Sequence, residues 1–112
     1  MDISVAALGE IGLVKLRGRL DSHGVDEIEL QFNASIVPRR KNTVVDLSEV
    51  NFITSMGLRM FIAAAKALTR HHAKMVLYGA QPGVREVLAG ARLADLLPVV
   101  ADQEEALRSF GA

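Results

Sequence analysis

The stretch Val44-Val45-Asp46-Leu47-Ser48-Glu49-Val50-Asn51-Phe52-Ile53-Thr54-Ser55-Met56-Gly57-Leu58 decides the fold. With Thr43 before it, Val44 to Leu47 is a short β-branched apolar run, suited to the middle of a sheet. Ser48 to Thr54 reads as a turn. A long helix is expected from about Ser55 to His72, with Thr54 or Ser55 as its N-cap. The first amides of such a helix have no intrahelical partner. They accommodate negative charge, a phosphate included. The Ser55 hydroxyl therefore has two readings. Capping is the usual work of a serine in that place, and an accessible acceptor for a charged group is the other.

The helix itself carries a second clue. At 100° per residue, Leu58, Phe61, Ile62, Ala65 and Leu68 share one face, which is expected to be the core stripe. Arg59, Lys66 and Arg70 form a narrow polar stripe beside it. Met56, Met60, Ala63 and Ala67 fall on the side away from that stripe, where a surface helix should be polar. An apolar ridge there suggests a protein contact, and methionine suits adaptable contacts. The plainer reading is that alanine is a good helix former and two methionines mean little.

Outward from this segment the chain alternates strands and helices. Ile3 to Leu8 and Ile11 to Arg17 read as an antiparallel hairpin split by Gly9-Glu10. Gly18 to Gly24 is expected to be a turn. Val25, Ile28, Phe32 and Ile36 have near-helical spacing, and Pro38 stops that helix. Lys74 to Tyr78 is another buried-type strand closed by Gly79. Gly83 to Ala89 is a short helix behind Pro82. Leu96 to Val100 is a last strand. Asp102 caps a final helix, with Glu105 three residues on and Ala106, Leu107 and Phe110 inward. The expectation is one α/β domain over residues 1–112. It holds a mostly parallel sheet of four or five strands, an N-terminal antiparallel hairpin and about four helices.

Composition narrows the function. The chain has 112 residues, half of them hydrophobic, enough for one real core. Lys plus Arg equals Asp plus Glu at 13 each, so nothing draws it to nucleic acid or an anionic membrane. Cysteine is absent, which removes disulfides and thiolate metal sites and suits a cytoplasmic protein. No apolar run is long enough to span a membrane, and no signal peptide is expected. One Tyr, four Phe and no Trp make a base-stacking surface a poor reading. An enzyme is not expected. Neither Gly-x-x-x-x-Gly-Lys nor Gly-x-Gly-x-x-Gly occurs, adjacent His71 and His72 do not converge on one metal, and no cofactor is implied.

Four motifs in order give a resemblance over nearly the whole chain. Asp46-Leu47-Ser48 with Phe52-Ile53-Thr54-Ser55-Met56-Gly57-Leu58 resembles the signature of the STAS domain family, which includes bacterial anti-sigma factor antagonists. Leu16-Arg17-Gly18-Arg19-Leu20-Asp21 resembles that family's Gly-x-Leu-Asp. Val76-Leu77-Tyr78-Gly79 and Val84-Arg85-Glu86-Val87-Leu88 resemble its next strand and helix. The resemblance implies a partner switch. A kinase that is also an anti-sigma factor phosphorylates the serine matching Ser55, the unphosphorylated form binds that kinase, and a serine phosphatase resets it.

Two positions depart from the family pattern. Thr54 stands where an acidic residue is common, and Met56 where a second serine is. Thr54 is thus an alternative acceptor. A STAS subunit that is never phosphorylated, for instance one serving a transporter ATPase, is an alternative function. The expected partner surface comprises Asp21, Ser22, His23, Thr54, Ser55, Met56, Gly57, Arg59, Met60 and Ala63. The apolar ridge also permits a weak homodimer.

Overall fold

A computed structural model describes residues 1–110. The hairpin is β1 (Asp2–Leu8) and β2 (Ile11–Leu20), joined through Gly9 in the left-handed region at φ 62°. Then follow α1 (Ser22–Ile36), β3 (Thr43–Ile53), α2 (Ser55–Thr69), β4 (Met75–Tyr78), α3 (Pro82–Gly90), β5 (Val99–Val100) and α4 (Gln103–Arg108). The five strands lie in chain order, β1-β2-β3-β4-β5. Only β1 and β2 run antiparallel; every later neighbour is parallel. Sequential parallel strands require a helix to cross over between them, and each crossover carries one.

The three crossover helices pack on one face of the sheet. Val25, Ile28, Phe32 and Ile36 of α1, Met60, Phe61, Ala65 and Leu68 of α2, and Val84 and Leu88 of α3 share a core with Val14, Leu16, Val45, Leu47, Met75 and Leu77. Each large apolar side chain buried there contributes roughly 1.5–3 kcal/mol. Phe32 and Phe61 lock α1 to α2, with ring centroids 5.7 Å apart and planes tilted by 53°. Helix α4 covers part of the other face, where Ala106 meets Val44, Val76 and Tyr78. Asp102 caps α4 as its spacing implied, accepting from the Glu105 amide at 2.9 Å. The Tyr78 hydroxyl donates to Gln103 Oε1 at 3.1 Å. Burial, then the Asp46 carboxylate, pushes the Tyr78 phenol up to about 12.

The element order follows the sequence reading, but several boundaries differ. The last strand, expected from Leu96, is only Val99–Val100, because the Leu96 and Leu97 amides donate to the Leu93 carbonyl and hold that segment in a turn. Strand β2 continues to Leu20 and β3 to Ile53, so the turn expected at 48–54 is almost all strand, and the one expected at 18–24 is divided between the end of β2, Asp21 and the start of α1. The reason is two irregularities in β2–β3 pairing. Lys15 pairs with Asp46 but Arg17 with Glu49, and Gly18 pairs with Val50 but Arg19 with Phe52. Each adds one extra residue on β3 and flips the alternation beyond it, which erases a period-2 pattern. Asp46 serves this detour, its carboxylate accepting the Ser48 amide at 2.9 Å. Helix α2 stops at Thr69, before His71 and His72, both exposed.

Candidate functional site

Strands β2 and β3 end side by side, with Leu20 paired to Ile53. A helix starts one residue after each. The Leu20 carbonyl accepts twice from Thr54, from its amide at 3.0 Å and from its hydroxyl at 3.1 Å. Thr54 is therefore the N-cap residue of α2 by position, yet its side chain makes no capping bond. Its oxygen points back into the strand ends. Ser55, the first helical residue, is exposed. Gly57 is buried against the same strand ends. A Cβ on it would stand 2.9 Å from Leu20 Cβ and 3.0 Å from Ile53 Cγ1, so only glycine lets α2 approach this closely.

The start of α1 is finished differently. Asp21 is its N-cap and accepts the Gly24 amide at 2.8 Å. That bond holds the Asp21 carboxyl below its usual range; burial opposes the shift and the Arg19 guanidinium adds to it. Arg19 Nε lies 3.3 Å from the Asp21 carboxylate, and its guanidinium sits 4.2 Å above the Phe52 ring. Ser22 and His23 are exposed on the first turn of α1.

Around Ser55 the surface mixes apolar and cationic groups. Phe52 is 41% exposed and Met56 38%. Arg59 and Ala63 are exposed further along α2, and Arg59 Nη1 lies 4.0 Å from Met56 Sδ. Phe52 and Arg19 were invisible as surface partners in the sequence. Two residues after buried Val50, Phe52 should have faced inward. The extra residue Asn51 turns it out, and nothing in the residue types announces that.

Two residues expected at the partner surface are buried instead. Met60 is 1% exposed and lies in the core, so it offers no surface. The buried stripe of α2 is Gly57, Met60, Phe61, Ala64, Ala65 and Leu68. It is rotated by roughly 70° from the expected one, taking 100° per residue. Leu58 and Ile62 sit at its margin, partly exposed. Leu58 and Ile62 centre the expected stripe, whereas the helix seats Gly57 against the strand ends, which turns Met60 inward with it. Gly57, also expected at the partner surface, is buried and acts through packing.

The STAS domain family model matches residues 2–106. The chain belongs to the STAS domain family. Among its STAS relatives is BtrV of Bordetella bronchiseptica, a candidate anti-sigma factor antagonist. The two are 30% identical over 95 residues, covering 85% of this chain and 82% of BtrV. The anti-sigma F factor antagonist of Paenibacillus polymyxa is 26% identical over 96 residues, with 85% and 82% covered. The STAS fold recurs in an anti-sigma-factor antagonist domain protein of Planctomyces limnophilus, at TM-score 0.87, 20% identity and full coverage of both chains. It recurs too in the antagonist SpoIIAA. The unphosphorylated form matches at TM-score 0.78 and 22% identity over 99% of this chain and 98% of that one. The phosphorylated form, from Bacillus, matches at 0.67 and 19% over 97% and 99%. Among the described residues no helix is long and apolar enough to cross a membrane.

Proposed function

We propose that this STAS domain is an anti-sigma factor antagonist switched by phosphate on Ser55. Unphosphorylated, it binds an anti-sigma factor that is also a serine kinase. The observation that carries this reading is the pair of hydroxyls at the head of α2. Thr54 donates inward to the Leu20 carbonyl, while Ser55 is exposed beside Met56. That contrast favours Ser55 over Thr54 as the acceptor. The names of the relatives, and the existence of SpoIIAA in both phosphorylation states, support the same assignment.

The partner would cover Ser55, Met56, Phe52, Arg59 and Ala63, with Asp21, Ser22 and His23 at the rim. In the kinase step the Ser55 oxygen bonds to the γ-phosphorus of ATP. The bond to the β-phosphate oxygen breaks, ADP leaves, and the hydroxyl proton passes to a base on the kinase. The product carries about −1.5 to −2 charges into a partly apolar contact, and the complex separates. A serine phosphatase returns the hydroxyl by hydrolysis. Such a cycle operates in the cytoplasm, where sigma factors act.

Calorimetric titration of the cognate kinase tests the reading. Ser55→Asp should lose most affinity and Ser55→Ala should keep it while accepting no phosphate. Equal affinity for both variants and the parent rejects it. A chain that stays unmodified in native cells and co-purifies with a membrane ATPase would instead indicate a transporter subunit.

A further inference from the structure

We infer that Arg59 is the internal counter-ion of a phosphate on Ser55, folding over it within the same helix. This rests on the reading of Ser55 as the acceptor and adds how the modified state is held. Residues four apart on a helix are neighbours, with Cβ atoms roughly 5–6 Å apart. Helical side chains also lean toward the N-terminus, so Arg59 leans toward Ser55 and away from the end of α2. The structure shows that direction: the Arg59 guanidinium lies at Met56 Sδ, one turn back and next to Ser55. A thioether is a weak acceptor, so that contact yields readily to an anion. Among the described residues no carboxylate forms an ion pair with Arg59.

The neighbouring charges do not compete for this role. Arg19 is occupied by Asp21 and the Phe52 ring. His23 turns toward Glu27, at 3.9 Å. Lys66 shares the exposed side of α2 but lies three turns on, about 16 Å along the axis at 1.5 Å per residue. The first turn of α2 holds no acidic residue to repel the phosphate. A guanidinium can meet two phosphate oxygens at once, which a lysine ammonium does less well.

The test needs no partner. Phosphoserine is installed at position 55 of the full chain by genetic encoding, and the phosphate is titrated by phosphorus NMR. Arg59 stabilises the dianion, so the second phosphate pKa should fall about half a unit below that of Arg59→Gln. Arg59→Lys should give an intermediate value, and about 1 M salt should shrink the difference, since the pair is exposed. Coincident titration curves for the parent and Arg59→Gln overturn the inference. If Arg59→Gln folds poorly, Arg59→Ala in the same phosphorylated chain keeps the test decisive. The outcome is separable from the switch: a phosphoserine chain that shows the shift yet still binds the kinase sinks the switch and leaves the counter-ion standing.

Discussion

Helices α1 and α2 begin at the same end of the sheet, after paired strands, and finish their first turns in opposite ways. Asp21 folds over the start of α1 and takes the Gly24 amide. Thr54 turns away from the start of α2 and ties the strand ends together instead. The first start is closed by its own side chain; the second has its cap hydroxyl withdrawn and its first-turn serine exposed. The lesson is that one polar residue before a helix can serve either stability or access. The direction of its oxygen separates the two.

The comparison can be broken most forcefully at the glycines behind each start. A Cβ on Gly24 would collide with the Arg19 carbonyl, a backbone atom that cannot rotate aside. Gly24→Ala should therefore lose about 4 kcal/mol or more in urea unfolding. Gly57→Ala meets Leu20 and Ile53 at contact distances that partial repacking relieves, and about 2 kcal/mol is expected. Equal losses at the two sites would mean that the closed start is no tighter than the open one.

Exchanging the two hydroxyls sharpens the contrast. Thr54→Val removes a donor to Leu20 but leaves the Thr54 amide on the same carbonyl, so about 1 kcal/mol should go. Ser55→Ala should change stability by less than about 0.5 kcal/mol, as for an exposed site. A large loss at Ser55 with none at Thr54 would reverse the assignment of roles. The smallest effect is on the acid limb. The Asp21 carboxyl is held below its ordinary 3.8, so its contribution is present above that value and fades as pH falls through the folded one. Asp21→Asn should flatten unfolding stability below about pH 4. Glu49, lowered chiefly by Lys15, contributes to the same limb in both chains, so only their difference is diagnostic.

The nine elements and their order were legible because strand and helix periods alternate cleanly along the chain. The buried runs Val44-Val45 and Val76-Leu77 and the Asp102 cap carried that reading. The strand ends were not legible. An extra residue such as Asn51 shifts every later side chain to the opposite face without changing composition. The candidate site was half legible. The family motif pointed to the head of α2, but residue types could not say which of two adjacent hydroxyls faces out. Backbone hydrogen bonding decides that. Met60 was misplaced because the large side chains of Leu58 and Ile62 drew the expected stripe toward them, while α2 turns Gly57 to the strand ends and carries Met60 inward.

Tyr78 gives the fold a built-in optical probe. The chain has one tyrosine and no tryptophan, so near-ultraviolet absorption and emission are dominated by a single phenol beneath α4. Burial, with the Asp46 carboxylate, holds its pKa up at about 12, against 10 for a tyrosine in water. Exposing the phenol to water would bring its ionisation back toward 10, so tyrosinate absorbance at alkaline pH should rise when that burial is lost. If the proposed partner seats at the head of α2, away from α4, binding should leave that signal unmoved, and any change would report transmission through the sheet.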